Sequence, residues 1–150
     1  MGSGKIFYSA VFVCMVLLSF TISSSQAADT TDQILTQVDD ILNANPLKAG
    51  EKLQMINIAQ DDTVSFVLIR FSEGGEVKPH FHKTHDEMVY IIKGSGQMLV
   101  NGKWIDVKAG TVHFNPINKV HATRNTGKEP LVGLSIFTPR MKEPDRNFVE

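Results

Sequence analysis

A series of short segments with a two-residue hydrophobic period constrains the fold more than any other feature of this sequence. The segments begin after Lys52 and are separated by Gly and Asn turn signals. The clearest signal is Asn101-Gly102, because a two-residue type I′ turn needs a positive φ at both central positions. Strands with this spacing predict an all-β sandwich or barrel. The predicted strands include residues 64–69, 88–92, 97–100, 104–107, 111–115, 121–125 and 131–137.

The first 27 residues have the three-part plan of a secretory signal peptide. An almost uninterrupted apolar stretch runs from Ile6 to Phe20, and the small residues Ser25 and Ala27 occupy the −3 and −1 places of a cleavage site. An uncleaved anchor is the alternative, because residues 6–22 are just long enough to span a thin bilayer. We expect cleavage and therefore an exported protein, periplasmic or secreted, with no membrane contact afterwards.

The remaining sequence is long enough for one domain. The chain has 15 Lys and Arg against 16 Asp and Glu, so its net charge of −1 provides no electrostatic footprint for nucleic acid. Its only cysteine, Cys14, lies in the leader, so cysteine chemistry is not expected in the mature protein.

Apolar residues with a helical period lie between the leader and the predicted strands. Thr30 and Gln33 match a capping box, and Asn45-Pro46 would end the helix. We expect a short amphipathic helix over residues 30–44, inside an N-terminal helical segment (28–49), with its apolar stripe on a sheet or a partner subunit. The stripe comprises Ile34, Leu35, Val38, Ile41 and Leu42.

Three further expectations follow from this layout. The barrel domain covers residues 50–138, and the charged tail 139–150 is predicted to be loosely held. Several strands are apolar on both faces, and the helix adds another apolar surface. Because a monomer of this size should not expose so much hydrophobic area, we expect a homodimer.

All five histidines fall between residues 80 and 121. His80 and His82 would share one face of a strand, with Cβ atoms about 7 Å apart, so both can reach one metal ion. Glu87, at the start of the next strand, would add an oxygen ligand, as in two-histidine, one-carboxylate metal sites. The alternative for the His-x-His pair is a polar strand face turned to solvent.

Two longer motifs resemble those of the cupin superfamily. The first is Gly74-x5-His80-x-His82-x4-Glu87-x6-Gly94, and the second is Gly110-x5-Pro116-x-Asn118-x2-His121-x3-Asn125. Asn118 stands where the family usually has Gly, and Asn also tolerates the left-handed turn conformation. The resemblance implies a cupin-type jelly-roll β-barrel.

The resemblance also implies a metal centre formed by His80, His82, Glu87 and His121, and it alone assigns His121. His85 is additional to the motif, and we consider a solvent-facing loop residue, a catalytic proton carrier, and a ligand that replaces Glu87. His113 is either a buried structural residue or a pocket residue, since alternation alone does not give its direction.

Three imidazoles and a carboxylate leave coordination positions open on one divalent transition metal ion: Fe(II), Mn(II), Ni(II), Cu(II) or Zn(II). We expect an apolar wall from residues such as Phe66, Leu68, Val89 and Ile91. The candidates to hold a carboxylate or hydroxyl of a ligand are Arg70, Tyr90, Gln97 and Arg124, although a position on the protein surface is favoured for each of them.

Three functions fit this site. The first is an enzyme acting on a small carbonyl, enol or carboxylate compound, with dioxygenase, isomerase, lyase or decarboxylase chemistry. The second is a non-catalytic exported binder of metal or of a small ligand. A structural cupin is the third, and it is disfavoured because no ligand is missing.

Overall fold

The computed structural model describes residues 33–149, which form ten strands and one short helix. Every predicted strand is present, with its ends within two residues of the expected positions. The elements are α1 (Val38–Ala44), β1 (Leu53–Gln60), β2 (Ser65–Phe71), β3 (Glu76–Phe81), β4 (Asp86–Lys93), β5 (Ser95–Val100), β6 (Lys103–Lys108), β7 (Val112–Asn115), β8 (His121–Arg124), β9 (Leu131–Thr138) and β10 (Asn147–Phe148).

The strands form two antiparallel five-stranded sheets. One has the order β1-β2-β9-β4-β7, and the other has the order β10-β3-β8-β5-β6. The core between them is built from inward-facing side chains of both sheets, so the predicted all-β jelly-roll fold is confirmed. The buried core residues are Val67, Ile69, Phe71, Val77, Val89, Ile91, Met98, Val107, Leu131 and Phe137.

Two asparagines adopt the left-handed backbone conformation that the turns require. Asn101 and Gly102 have φ of 49° and 77°, as a type I′ turn between β5 and β6 demands. Asn118 has φ of 64°, so the turn survives the replacement of the family's Gly. Its backbone N–H donates to the carbonyl oxygen of His82 at 2.7 Å, which ties this turn to a candidate metal ligand.

The N-terminal helix is present but shorter than predicted. It begins at Val38, and Gln37 at its N-cap makes no side-chain capping bond, so the predicted capping box does not start it. A seven-residue helix depends on tertiary packing, and only Val38, Ile41 and Leu42 pack on the sheet. Upstream, Ile34 and Leu35 remain exposed. Thr30 and the predicted leader 1–27 lie outside the described residues.

The C-terminal tail is ordered against the barrel, contrary to the expectation of a loosely held terminus. Asn147 and Phe148 pair with the exposed edge of β3. The Asp145 carboxylate accepts 2.7 Å bonds from the N–H groups of Lys83 and Thr84 and from the Thr84 hydroxyl. The tail is held because it satisfies backbone groups of an edge strand and a loop, which hydrophobic periodicity does not reveal.

Within residues 33–149, no helix has both the length and the apolar character needed to cross a membrane.

Candidate metal centre

Three buried histidines converge at one place inside the barrel. His80 lies near the end of β3, His82 follows that strand, and His121 starts β8, where it pairs with His80 across the two strands. One nitrogen of each ring lies within 4.8 Å of the other two. The predicted sharing of a face by His80 and His82 is confirmed, and the strand pairing brings His121 to them.

Backbone carbonyl groups orient all three rings in the same way. In each ring Nδ1 lies at hydrogen-bond distance from a carbonyl oxygen: His80 from Lys78 at 2.9 Å, His82 from Asp145 at 2.5 Å, and His121 from Lys119 at 2.9 Å. A carbonyl only accepts, so Nδ1 carries the proton and Nε2 keeps its lone pair. Histidines that bind metals are commonly oriented by such a bond on the opposite nitrogen.

Glu87, on β4, is the carboxylate of this site and is 6 % exposed. Its Oε2 lies 3.1 Å from Nε2 of His121 and 3.8 Å from Nε2 of His82. Ser135 donates to Oε1 at 2.7 Å, and the Asn115 side-chain amide donates to Oε2 at 3.2 Å. Burial alone raises the pKa of Glu87, but the neighbouring imidazoles and the Ser135 bond outweigh it and lower the pKa well below its usual range. The carboxylate is therefore ionised.

These groups fit a metal ion because acceptor atoms converge there. Nε2 of His121 is buried and makes no aligned hydrogen bond within the described chain, although the Glu87 carboxylate is its close neighbour. Two acceptors at 3.1 Å repel one another unless a proton or a metal ion lies with them. Imidazole nitrogens and a carboxylate oxygen are ligands that divalent transition metals take.

The protonation of His80 also suits a ligand. The pKa of His80 is lowered to about 4. Burial is the largest cause, and the charge of His121 is the second. For His82, burial acts in the same direction, but the contacts with Glu87 and Asp145 outweigh it and raise the pKa. At pH 7 His80 is thus neutral, as a metal ligand must be.

His85 is not the solvent-facing loop residue that was one of the expectations, because it is only 1 % exposed. Its ring lies 4.4 Å from that of His82 and 5.0 Å from that of Phe137. Nδ1 lies 3.1 Å from the Thr84 hydroxyl, and Nε2 is buried with no partner among residues 33–149. With His82 and Asp145 it forms a second group that could hold a metal ion. The two other expected roles of His85, a proton carrier and a metal ligand in place of Glu87, therefore stay open.

The three histidines and Glu87 line one cavity of the barrel, and the other polar residues considered as pocket candidates lie away from it. Half-buried His113 on β7 is not in its wall, nor is Arg70, whose guanidinium donates to the Leu42, Asn45 and Gln54 oxygens beside α1. Gln97 and Arg124 bond to each other. The remaining candidate, Tyr90, is 44 % exposed.

The prediction of an apolar cavity wall is confirmed for Val89 and Ile91, which line the cavity. It is wrong for Phe66 and Leu68, which do not. Ile69 and Phe71 on β2 line the cavity instead. Successive side chains of a strand point to opposite faces, so a prediction that is wrong by one residue selects the wrong face. The cavity has a volume of about 350 Å³. Sequence reasoning missed Asp145 and Arg146, which line its mouth from the C-terminal segment, because no motif or period marks them.

Comparisons with known proteins identify the family of this domain. The family described as Cupin domain matches residues 67–137, which include His80, His82, Glu87 and His121.

Several relatives share part or most of the chain. A protein of Aquifex aeolicus is 34 % identical over 67 % of this chain and 80 % of its own length. A glucose-6-phosphate isomerase of Thermococcus onnurineus is 42 % identical over 40 % of this chain, which spans only 35 % of that protein. An oxalate-binding protein of Thermotoga maritima is 34 % identical over 48 % of this chain and 60 % of its own length.

Among solved structures, a Klebsiella pneumoniae protein with a double-stranded beta-helix domain superposes with a TM-score of 0.66. It is 18 % identical, and the match covers 79 % of this chain and all of that one. At this identity the likeness supports the fold alone.

Removing any one imidazole of the three should release the metal. We predict that His80→Ala, His82→Ala and His121→Ala each weaken metal binding by more than about tenfold, since changes to the groups that merely orient ligands already cost that much. His113→Ala is the matched control and should retain the metal. Metal titration of each purified variant tests this, and a release from His113→Ala equal to that from His121→Ala would contradict it.

A second pair of variants separates Glu87 from His85. Glu87→Gln keeps the shape and removes the charge, so we predict partial metal loss, whereas His85→Ala should retain the metal. Elemental analysis of both variants gives the answer. If His85→Ala loses metal and Glu87→Gln does not, the ion lies on four histidines instead.

Proposed function

This chain belongs to the cupin family, and on that premise we propose that it is a mononuclear metal-dependent enzyme acting on a small carbonyl, enol or carboxylate compound. The observation that carries the proposal is the convergence of three oriented imidazoles and an ionised carboxylate at the wall of one cavity. A cavity with a few convergent polar groups in an otherwise apolar wall is typical of a small-molecule site.

His80, His82, Glu87 and His121 would hold one ion, which would act as a Lewis acid with open positions for the ligand. The donor set suits Fe(II), Mn(II), Ni(II), Cu(II) or Zn(II), and metal supply contributes to the choice among them.

Other residues of the chain prepare this centre. Ser135 and Asn115 hold the Glu87 carboxylate from both oxygens, so its direction is set before a ligand enters. The apolar wall reduces water access, which strengthens electrostatic interactions at the cavity floor. Buried His85, beside His82, is the proposed proton carrier.

A non-catalytic binder of metal or of a small ligand is the second candidate. A relative named as an oxalate-binding protein favours it. The relatives named as isomerases favour catalysis, but this chain spans 35 % of the length of the one from Thermococcus onnurineus, so that reaction is not transferred to it. The cupin fold hosts many reactions and does not choose among them.

We predict that the purified protein contains one transition metal per chain and turns over a small carbonyl or enol compound. Elemental analysis identifies the metal, and a panel of catechols, flavonols, thiol acids and β-dicarbonyls is then tested for oxygen uptake and product formation. Chelation should abolish turnover, and metal should restore it, because the ion supplies the Lewis acid. Stoichiometric metal without turnover of any compound would favour the binder, and absence of metal would refute both the metal-dependent enzyme and the metal binder.

We further propose a homodimer that buries an apolar outer face of the sheet. This outer face comprises Met88 and Tyr90 on β4 and Val112 and Phe114 on β7, each 42 % exposed or more. Met88 pairs with Phe114, and Tyr90 with Val112, so the four side chains form one patch. A patch shared by two identical copies suits a twofold interface.

Phe114→Glu should convert the dimer to a monomer, because it places a charge in the middle of an apolar contact. Light scattering at micromolar concentration measures the mass. The matched control is Ile105→Glu, which alters an exposed apolar residue of the opposite sheet and should leave the dimer intact. A monomeric unaltered protein would refute the proposal.

Export completes the proposal. The mature protein should begin at or near Ala28 by intact mass and should fractionate as soluble material outside the cytoplasm, because the leader ends in small residues. Recovery of the full-length chain from the membrane pellet would contradict it.

A further inference from the structure

An arginine of the C-terminal segment lines the cavity and has no anionic partner among residues 33–149. Arg146 precedes β10 and lines the same cavity as the three histidines. Its Nη2 donates to Sδ of Met55 at 3.2 Å, and a thioether is a weak acceptor. Nε is buried and has no acceptor within the described chain. A guanidinium in this position lacks the hydrogen bonds that a partly buried charge normally makes.

Nearby carboxylates do not supply that partner. Glu87 is close enough to attract Arg146, but its oxygens are occupied by Ser135, Asn115 and the histidine contacts. The Asp145 carboxylate points to the loop at Lys83 and Thr84, where it accepts three hydrogen bonds. Arg146 is therefore available to an anion that enters the cavity.

We propose that Arg146 binds the carboxylate of the natural ligand, which is a monocarboxylate with an apolar body. The planar guanidinium matches a carboxylate with two parallel hydrogen bonds. This inference deepens the proposed function and rests on it in one respect only: the ligand occupies the same cavity as the metal.

The composition of the wall selects the rest of the ligand. Most of the surface is apolar and would leave the hydroxyl groups of a sugar or the second charge of a small diacid without partners. Its apolar side chains include Met55, Ile69, Phe71, Val89, Ile91 and Met98. The charged residues of this wall segment are of both signs, with Lys142 and Arg146 beside Glu143 and Asp145, so the cavity offers no excess of positive charge to a ligand with several negative charges.

Calorimetry with a matched pair of probes tests the proposal. The probes are 3-phenylpropanoate and 3-phenylpropanamide, which differ only in the group that would meet Arg146. We expect the unaltered protein to bind the acid about tenfold or more tightly than the amide, as bonds to a charged group predict. Arg146→Gln should remove this preference. Arg146→Lys should retain part of it, since Lys keeps the charge but loses the planar pair of donors.

Lys128→Gln is the matched control, because it removes the same charge at an exposed position outside the cavity wall. Its preference for the acid should equal that of the unaltered protein. Circular dichroism verifies that each Arg146 variant is folded, and its metal content verifies that it is loaded. If Arg146→Gln does not fold, the proposal is tested by Arg146→Lys, whose preference for the acid should be reduced. Equal binding of the acid by the unaltered protein and Arg146→Gln overturns the proposal, and so does failure of the unaltered protein to prefer the acid.

Repeating the titrations on chelator-treated protein, with and without added Zn(II), separates this inference from the proposed function. If the protein holds no metal but its preference for the acid still depends on Arg146, the carboxylate site stands and the metal enzyme does not. If metal binds and Arg146→Gln leaves the preference for the acid unchanged, the proposed metal centre stands and the carboxylate site at Arg146 does not.

Discussion

The buried carboxylate of Glu87 is the constraint on which the arrangement of the site depends. An ionised carboxylate between two apolar sheets is unstable unless neighbouring groups compensate its charge. Those groups come from four other places in the fold: Ser135 on β9, Asn115 on β7, His121 on β8, and His82 after β3. Both sheets must therefore pack in one register for the charge to be compensated, and that same register assembles the candidate metal ligands.

The C-terminal segment completes this arrangement from outside the barrel. The Asp145 carbonyl oxygen accepts from Nδ1 of His82 and so turns its Nε2 toward the site, while the carboxylate holds the 83–84 loop. Three hydrogen bonds to Lys83 and Thr84, with one from Asn147, outweigh the opposing effect of burial and lower the pKa of Asp145 to about 2. The next residue, Arg146, lies in the cavity wall. The two residues before β10 thus orient the candidate metal ligand His82 and bring a cation to the cavity.

The fold and the ligand set leave the reaction open, because cupins share both. The cavity wall is more selective. Relatives are named for sugar phosphate isomerisation and for oxalate binding, both of which concern strongly polar compounds. Here the wall is largely apolar, and of the two cations that line it, Lys142 is exposed whereas Arg146 is partly buried with its Nε unsatisfied among the described residues. The side chains of this wall therefore favour a less polar ligand than those for which the relatives are named.

Local pattern by itself determined most of the strands, the Asn101-Gly102 turn and the placement of His80 and His82 on one face, because a two-residue period and a positive-φ turn are properties of adjacent residues. Motif resemblance supplied His121, which lies 34 positions beyond Glu87; the pairing of β3 with β8 brings it to His80, and the packing of the two sheets brings it to Glu87. Only the tertiary structure decided the burial of His85, the cavity-facing residues of β2 and the contribution of residues 145–148. These depend on contacts between segments distant in the chain, and such contacts leave no periodic signal in the sequence.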